Sequence, residues 1–302
     1  MSIQSRSYNK DKDFNSIMKF LADLYERTKS YENWFPDRFE NSSDTREDGV
    51  RIWEKVKVTN SLPKKTIVTL TTRDSHKDYF LHVDPDYRHI EREMIEWIEQ
   101  HFKKIKKKQE KKEKLSINIL EGNPQRETLL TELGYRYEEI YGYYRIRKGN
   151  SAITDYPCPE NFEIRTIERT DYVQLASLIR RVFGHGEWFT EEVLEWITQC
   201  SFYQEELDLV AVTPDGTIAS FCTFRVDPKS KIISLEPMGT NPDFRRLGLG
   251  KTIITEGIKR SMKFNPPFFY IDGAANNPAA NRLYDVTGFL EKYAINSWIK
   301  EI

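Results

Sequence analysis

The chain has 302 residues, with 46 lysines and arginines against 47 aspartates and glutamates, a formal net charge of −1. That balance gives no reason to expect a nucleic-acid partner, and 38% hydrophobic with 31% charged residues describes a soluble globular protein long enough for two domains. No apolar run approaches the roughly 18–20 residues of a membrane span, and the opening MSIQSRSYNKDKDF lacks the apolar core of a signal peptide. Cys158, Cys200 and Cys222 are widely spaced without a CxxC, which reads as free thiols in the cytoplasm. The five histidines show no metal spacing, so no metal is expected.

In chain order, an amphipathic helix opens at Asp13-Phe14, and strands are expected over 67–70 and 79–83 with a turn at Asp74-Ser75. A helix is predicted over 90–102, and the lysine-rich run 103–114 is expected to be a solvated helix end because glutamates, not aromatics, interrupt it. Gly149, Pro157 and Pro159 mark a linker, giving domains 1–148 and 161–302 around linker 149–160. Then come a strand over 162–167, a helix opened by Asp171, a loop 184–189 and a helix after Thr190. A hairpin over 207–226 follows, turning at Pro214-Asp215-Gly216-Thr217. A buried strand at 268–271, a helix over 278–286 and a closing hairpin over 289–299 finish the pattern. The pattern repeats internally. Trp34/Trp188, Asn123/Asn277 and Gly134/Gly288 are each 154 residues apart, and Asp84-Pro85-Asp86-Tyr87-Arg88 matches Asn241-Pro242-Asp243-Phe244-Arg245 at an offset of 157.

One stretch carries the chemistry. An apolar run, 232–238, leads through Asn241-Pro242-Asp243 into Arg245-Arg246-Leu247-Gly248-Leu249-Gly250-Lys251-Thr252, after which Ile253, Ile254 and Ile258 fall at helical spacing. Strand, glycine turn and helix N-terminus form an anion site: unpaired N–H groups and the helix dipole favour negative charge, and glycines let backbone approach a phosphate. Arg245, Arg246, Lys251 and the Thr252 hydroxyl add charge and a donor. Four residues before Gly250-Lys251-Thr252 stands arginine, not the glycine of a Walker A loop, and position 253 is isoleucine, which breaks a dinucleotide G-x-G-x-x-G. In the first copy Glu91 and Glu93 fall opposite Gly248 and Gly250, so that copy reads as degenerate, its carboxylates repelling phosphate.

The pattern R/Q-x-x-G-x-G/A at Arg245–Gly250, with Asn277-Pro278-Ala279-Ala280-Asn281-Arg282-Leu283-Tyr284 and then Gly288-Phe289, resembles the GNAT superfamily of N-acetyltransferases over roughly 160–302. The resemblance implies an α+β fold of two tandem GNAT (acyl-CoA N-acyltransferase) domains, each a mixed, mostly antiparallel twisted sheet flanked by helices. It implies acetyl-CoA as cosubstrate and transfer of acetyl to a primary amine by direct attack, with a small molecule or a protein N-terminus as acceptor. The pyrophosphate would meet N–H groups from Arg246 to Lys251, and the pantetheine arm would lie along Met238 and Thr240, with Gly239 fitting a strand break. Tyr284 is the candidate acid for the thiolate. Asn277 binds the cofactor arm or caps the helix that also carries Ala280. Glu236 shares a strand face with Met238 and Thr240 by alternation and is the candidate base or ammonium counter-ion, with pairing to Arg225 as the structural alternative. His185, Glu187 and Trp188 lie where the family frames its acceptor pocket. A non-catalytic acyl-CoA sensor is the competing reading; acceptor identity, acyl length and oligomeric state stay open.

Overall fold

The computed structural model describes residues 2–43, 47–59, 62–105 and 113–302; positions 106–112 of the lysine-rich run lie outside them. The chain divides into two compact units, one of residues 1–142 with 293–302, the other of residues 143–292. Among the described residues no helix is long and apolar enough to cross a membrane.

The first unit runs β1 (Ser2–Ser7), α1 (Lys10–Thr28), α2 (Pro36–Ser43), β2 (Arg51–Thr59), β3 (Leu62–Arg73), β4 (Asp78–Val83), α3 (Glu91–Ile105), β5 (Lys114–Leu120), α4 (Pro124–Glu132) and the start of β6 (Arg136–Lys148). The second runs β7 (Glu163–Thr166), α5 (Tyr172–Phe183), α6 (Glu191–Ile197), β8 (Asp208–Val212), β9 (Ile218–Val226), β10 (Ile233–Thr240), α7 (Leu249–Ser261), β11 (Phe268–Ala274) and α8 (Pro278–Val286), before β12 (Glu291–Glu301). The expected closing hairpin is this single strand β12, because no turn interrupts 291–301.

In the first unit β1 to β4 are antiparallel neighbours, and β4 meets β5 in parallel at Asp78/Ser116 and Tyr79/Ile117. The edge of β5 is completed by β12, the last strand of the chain, in antiparallel register from Ile295/Leu120 to Glu301/Lys114. In the second unit β7 to β10 are antiparallel neighbours, β10 meets β11 in parallel at Ile233/Phe269 and Ser234/Tyr270, and residues 143–148 of β6 complete β11. Each unit therefore takes its final strand from the other half of the sequence. The two strands occupy matching positions of the repeat, following Gly134 and Gly288, so either suits the same slot.

The second unit buries apolar side chains on both sheet faces, as a sheet between helices must. Ile253, Ile254 and Ile258 of α7 pack on Phe224, Ile233 and Phe269, while Leu175, Ile179 and Leu194 of α5 and α6 pack on Val210 and Phe221. Residues 149–160 form a strap on this unit. The Gly149 N–H donates to the Pro267 carbonyl, Asp155 pairs with Lys259 at 2.6 Å, and the Tyr156 hydroxyl donates to the Val286 carbonyl at 3.1 Å.

Candidate active site

Between β10 and α7 the chain makes the turn marked in the sequence. Asn241 accepts a hydrogen bond from the Asp243 N–H and starts a short 3-10 turn, Pro242–Phe244. The backbone then reverses through two positive φ values, 70° at Arg246 and 89° at Gly248. That second angle is where glycine is needed, since a Cβ there is strained for an L-residue. Gly248 is the N-cap of α7 and supplies no side-chain cap. The Thr252 N–H already reaches the Gly248 carbonyl, which leaves the N–H groups ahead of it directed out of the helix end. Arg245, Arg246 and Leu247 are exposed, whereas the side chain of Leu249 is buried in the core. The Arg245 Nε donates to the Thr240 carbonyl, and the Lys251 ammonium sits 4.4 Å from the Tyr156 ring centroid.

Two expectations for this turn change. Thr252 is buried and its hydroxyl donates back to the Gly248 carbonyl at 3.1 Å, so it is no outward donor. At Gly250 a Cβ would stand 3.1 Å from the Met238 Cε and 3.4 Å from Leu283, so its missing side chain serves the seating of α7 on β10 and α8.

The parallel pairing of β10 with β11 ends at Ser234/Tyr270, and residues 235–240 continue with β9 alone. β10 therefore leaves a backbone edge beside Met238 and Thr240 that β11 does not pair. The register to β9 shifts between Leu235 and Met238, placing a bulge at Glu236-Pro237, a cis peptide bond. Gly239 is not the break; it pairs with Phe221, whose ring would lie 2.4 Å from a Cβ there. The bulge reverses alternation, because the extra residue shifts every later side chain to the other face. Met238 joins Leu235 in the cluster under α7, while Glu236 lies 3.6 Å from Arg225, which packs over Phe202 on the α5–α6 face. Glu236 and Met238 thus sit on opposite faces, contrary to the shared face expected from alternation.

Tyr284 stands on α8, in the core cluster that Leu235 and Met238 of β10 also join. It is buried, stacks edge-on with Phe289, and has the Arg145 guanidinium 5.7 Å above its ring. Burial pushes the phenol up to about 12; Arg145 opposes this and the negative charge of Glu236 adds to it, so the carboxylate is within electrostatic reach. Asn277 caps α8, its side chain accepting from the Ala280 N–H at 2.9 Å. Ala280 packs against the α7 cluster.

Three side chains carry more of this site than their sequence context announced. Arg145 on β6 donates to Asp285 at 2.8 Å, Asn281 at 2.6 Å and the Phe289 carbonyl at 2.9 Å, fixing the helix that holds Tyr284. Asp208 is buried and accepts from Thr223 and Tyr203; burial raises its carboxyl to about 6 against those bonds and the charge of Arg225. Arg225 itself is 3% exposed. The alternation of Arg145 and Arg147 with apolar residues reads as a half-exposed strand, and only pairing with distant elements buries them. In the loop 184–189, Trp188 is 58% exposed where its repeat partner Trp34 is buried, and His185 packs between Trp188 and Phe189.

Comparison with known proteins bears on this geometry. Residues 163–289 match the family described as Acetyltransferase (GNAT) family. A mycothiol acetyltransferase of Paenarthrobacter aurescens is 26% identical over 172 residues, 54% of this chain and 53% of the relative, so the match spans about half the length of that curated protein. Two solved structures share the fold over almost the whole chain. A GCN5-related N-acetyltransferase from Sphaerobacter thermophilus has a TM-score of 0.69 at 16% identity, covering 99% of this chain and 95% of that one. A tandem GNAT protein from the clavulanic acid biosynthesis pathway has a TM-score of 0.70 at 13% identity, covering 99% and 98%.

Proposed function

We propose, from the match of residues 163–289 to the GNAT acetyltransferase family, that the protein is an acetyl-CoA-dependent N-acetyltransferase whose active site lies in the carboxyl-terminal copy. Three features carry the reading: an uncapped helix start at Gly248, an edge of β10 left by β11 beside Met238 and Thr240, and Tyr284 on α8 packed in the cluster that Met238 joins. The residues fit the cosubstrate. Arg245, Arg246, Lys251 and the N–H groups from Leu247 to Lys251 would hold the pyrophosphate, and the unpaired edge of β10 would take the pantetheine amides.

The bound thioester supplies an activated acetyl group. The amine nitrogen forms the new C–N bond, the C–S bond breaks, and its electron pair leaves on sulfur. Glu236 takes the proton that the amine must lose. Tyr284 donates a hydrogen bond to the sulfur as charge develops. A phenol near 12 is a weaker acid than an ordinary thiol of about 8.5, so Tyr284 stabilises the thiolate without surrendering its proton. The proton that completes the thiol comes from solvent, balancing the one passed to Glu236. No cysteine is used: Cys222 is buried under α7 with its thiol raised by burial, and Cys158 and Cys200 lie outside β10, α7 and α8.

A small-molecule amine is the favoured acceptor, in keeping with the relative named for mycothiol acetylation, and the free cysteines favour the cytoplasm. Calorimetric titration of acetyl-CoA into the full chain should give one equivalent, and an amine panel should release thiol. Binding without thiol release from any amine would favour an acyl-CoA sensor. Absence of binding would overturn both readings.

A further inference from the structure

The second unit buries three arginines, and one of them is unlike the others. Arg145 is held by a carboxylate, an amide and a carbonyl, and Arg147 by the carbonyls of Lys148, Ser151 and Ala152. Arg225 is 3% exposed and, where Arg145 and Arg147 leave only Nε without a partner, makes no hydrogen bond with Nε or with Nη1. The Glu236 carboxylate lies 3.6 Å from Nη1, beyond the 2.7–2.9 Å typical of a charge-assisted bond. A buried guanidinium with idle donors is costly unless something completes it. Its position says what would. The Phe202 ring centroid lies 4.9 Å from its Cζ, and Glu236, the candidate base, stands beside it at the bulge of β10.

We propose that the acceptor is an amino-acid-type zwitterion, an amine with a carboxylate one or two carbons away, and that Arg225 binds the carboxylate while Glu236 receives the ammonium and then its proton. Two opposite charges set side by side select a ligand carrying the complementary pair at similar spacing. A planar fork suits a carboxylate through two parallel N–H bonds, which a lone ammonium ligand cannot use. The fate of the amine rests on the acetyltransferase reading above; the binding of the zwitterion does not.

The test uses the full chain, with coenzyme A for binding and acetyl-CoA for turnover, and three families of probes: the common amino acids, their α-amides, and the corresponding decarboxylated amines. Calorimetry reads binding and thiol release reads turnover. At least one amino acid should bind and react with kcat/KM on the order of 100-fold above its own amide and amine, because those analogues leave Arg225 unpaired. In Arg225→Gln that ratio should collapse to below about tenfold, and Arg225→Lys should recover only part of it. The wild-type ratio stands alone if a variant fails to fold. An amide or decarboxylated amine that performs as well as its amino acid overturns the proposal. So does acetyl-CoA binding with no amino acid bound. If acetyl-CoA fails to bind, the acetyltransferase reading falls, and amino-acid calorimetry still decides whether Arg225 and Glu236 form a zwitterion site.

Discussion

The two helix-start turns, one in each unit, solve the same electrostatic problem in opposite ways. In the first, the 3-10 segment Pro85–Ile90 runs directly into α3, and Glu91 at the junction is right-handed with φ −56°, where its repeat partner Gly248 has φ 89°. Glu91 is 2% exposed and accepts from Arg126 at 2.8 and 3.0 Å and from Arg88 at 3.0 Å. Glu32 accepts from Arg88 at 2.6 Å, from Asn123 at 2.6 Å, and lies 2.9 Å from Arg126. In the second unit the matching positions are Gly248 for Glu91, Ala280 for Arg126, Gly186 for Glu32 and Arg245 for Arg88. Only the cation remains. The first unit carries its anions inside the chain, whereas the second leaves exposed cations and unpaired helix N–H groups at the matching place. On the proposed function, the repeat has kept its fold and replaced a ligand's charge with its own.

The largest effect should come from breaking the internal substitute. Arg126→Ala strands Glu32 and Glu91 without their buried cation, and stability should fall by about 3–5 kcal/mol in denaturant unfolding. Acid supplies an independent check. Burial works to raise the Glu32 carboxyl, but Arg126 and Arg88 hold it below its ordinary 4.5, so its stabilisation is present above that value and is lost as pH falls further. The variant should show a shallower acid slope than the wild type. Acetyl-CoA should still bind at one equivalent; a second would mean that the first unit had kept a latent site.

Gly248→Glu makes the converse exchange and should weaken acetyl-CoA by more than about 100-fold, from like charge and the left-handed backbone together. The side chain itself has room, the nearest heavy atom to its Cβ being the Lys251 Cε at 3.4 Å. Gly248→Asn, neutral and tolerant of that backbone, should lose less than about tenfold. Equal losses in the two variants would assign the effect to backbone strain and remove charge from the comparison. Tyr284, whose repeat partner is the core residue Leu130, comes next. Tyr284→Phe should lower kcat by about 10–100-fold with acetyl-CoA affinity kept. With the phenol near 12, the wild type should show no alkaline limb due to Tyr284 below about pH 10. A limb near pH 9 that vanishes in the variant would show the phenol to be a true proton donor.

The repeat and the turn were legible because both are local. Asn277 before Pro278 predicts the cap it forms, and the glycine at 248 occupies the left-handed position such a turn requires. Asp171 was legible as a helix opener, whereas α1 starts at Lys10 on the Asn9 cap and Asp13 lies within its first turn. That each aspartate also holds an arginine of the preceding strand bidentately, Arg6 and Arg165, was not legible, because the spacing alone does not aim a side chain. What failed was non-local or depended on register. A bulge at Glu236-Pro237 turned Met238 and Thr240 away from the face of the candidate base, and alternation cannot announce a bulge. The exchange of β6 and β12 was hidden for a different reason: equivalent strands have near-equivalent partners, so pattern cannot choose between them. Arg225 was legible only as a partner for Glu236; its idle donors appear once Phe202 and the sheet bury it.

The smallest of these effects probes how far charge, as opposed to shape, separates the two turns. Lys251 has Met94 as its counterpart, a residue fully buried in the first unit's core. Lys251→Met should weaken acetyl-CoA only about three- to tenfold, the scale of one partly exposed charge at a helix start. The loss should shrink at roughly 0.5 M salt, where screening reaches a few ångströms. Acetyl-pantetheine, which lacks the phosphates, should bind the variant and the wild type alike. A loss that persists in high salt, or that extends to acetyl-pantetheine, would mean that Lys251 acts by packing over Tyr156 and holding the strap against α7. The second turn would then depend on the shape of the strap as well as on its missing carboxylates.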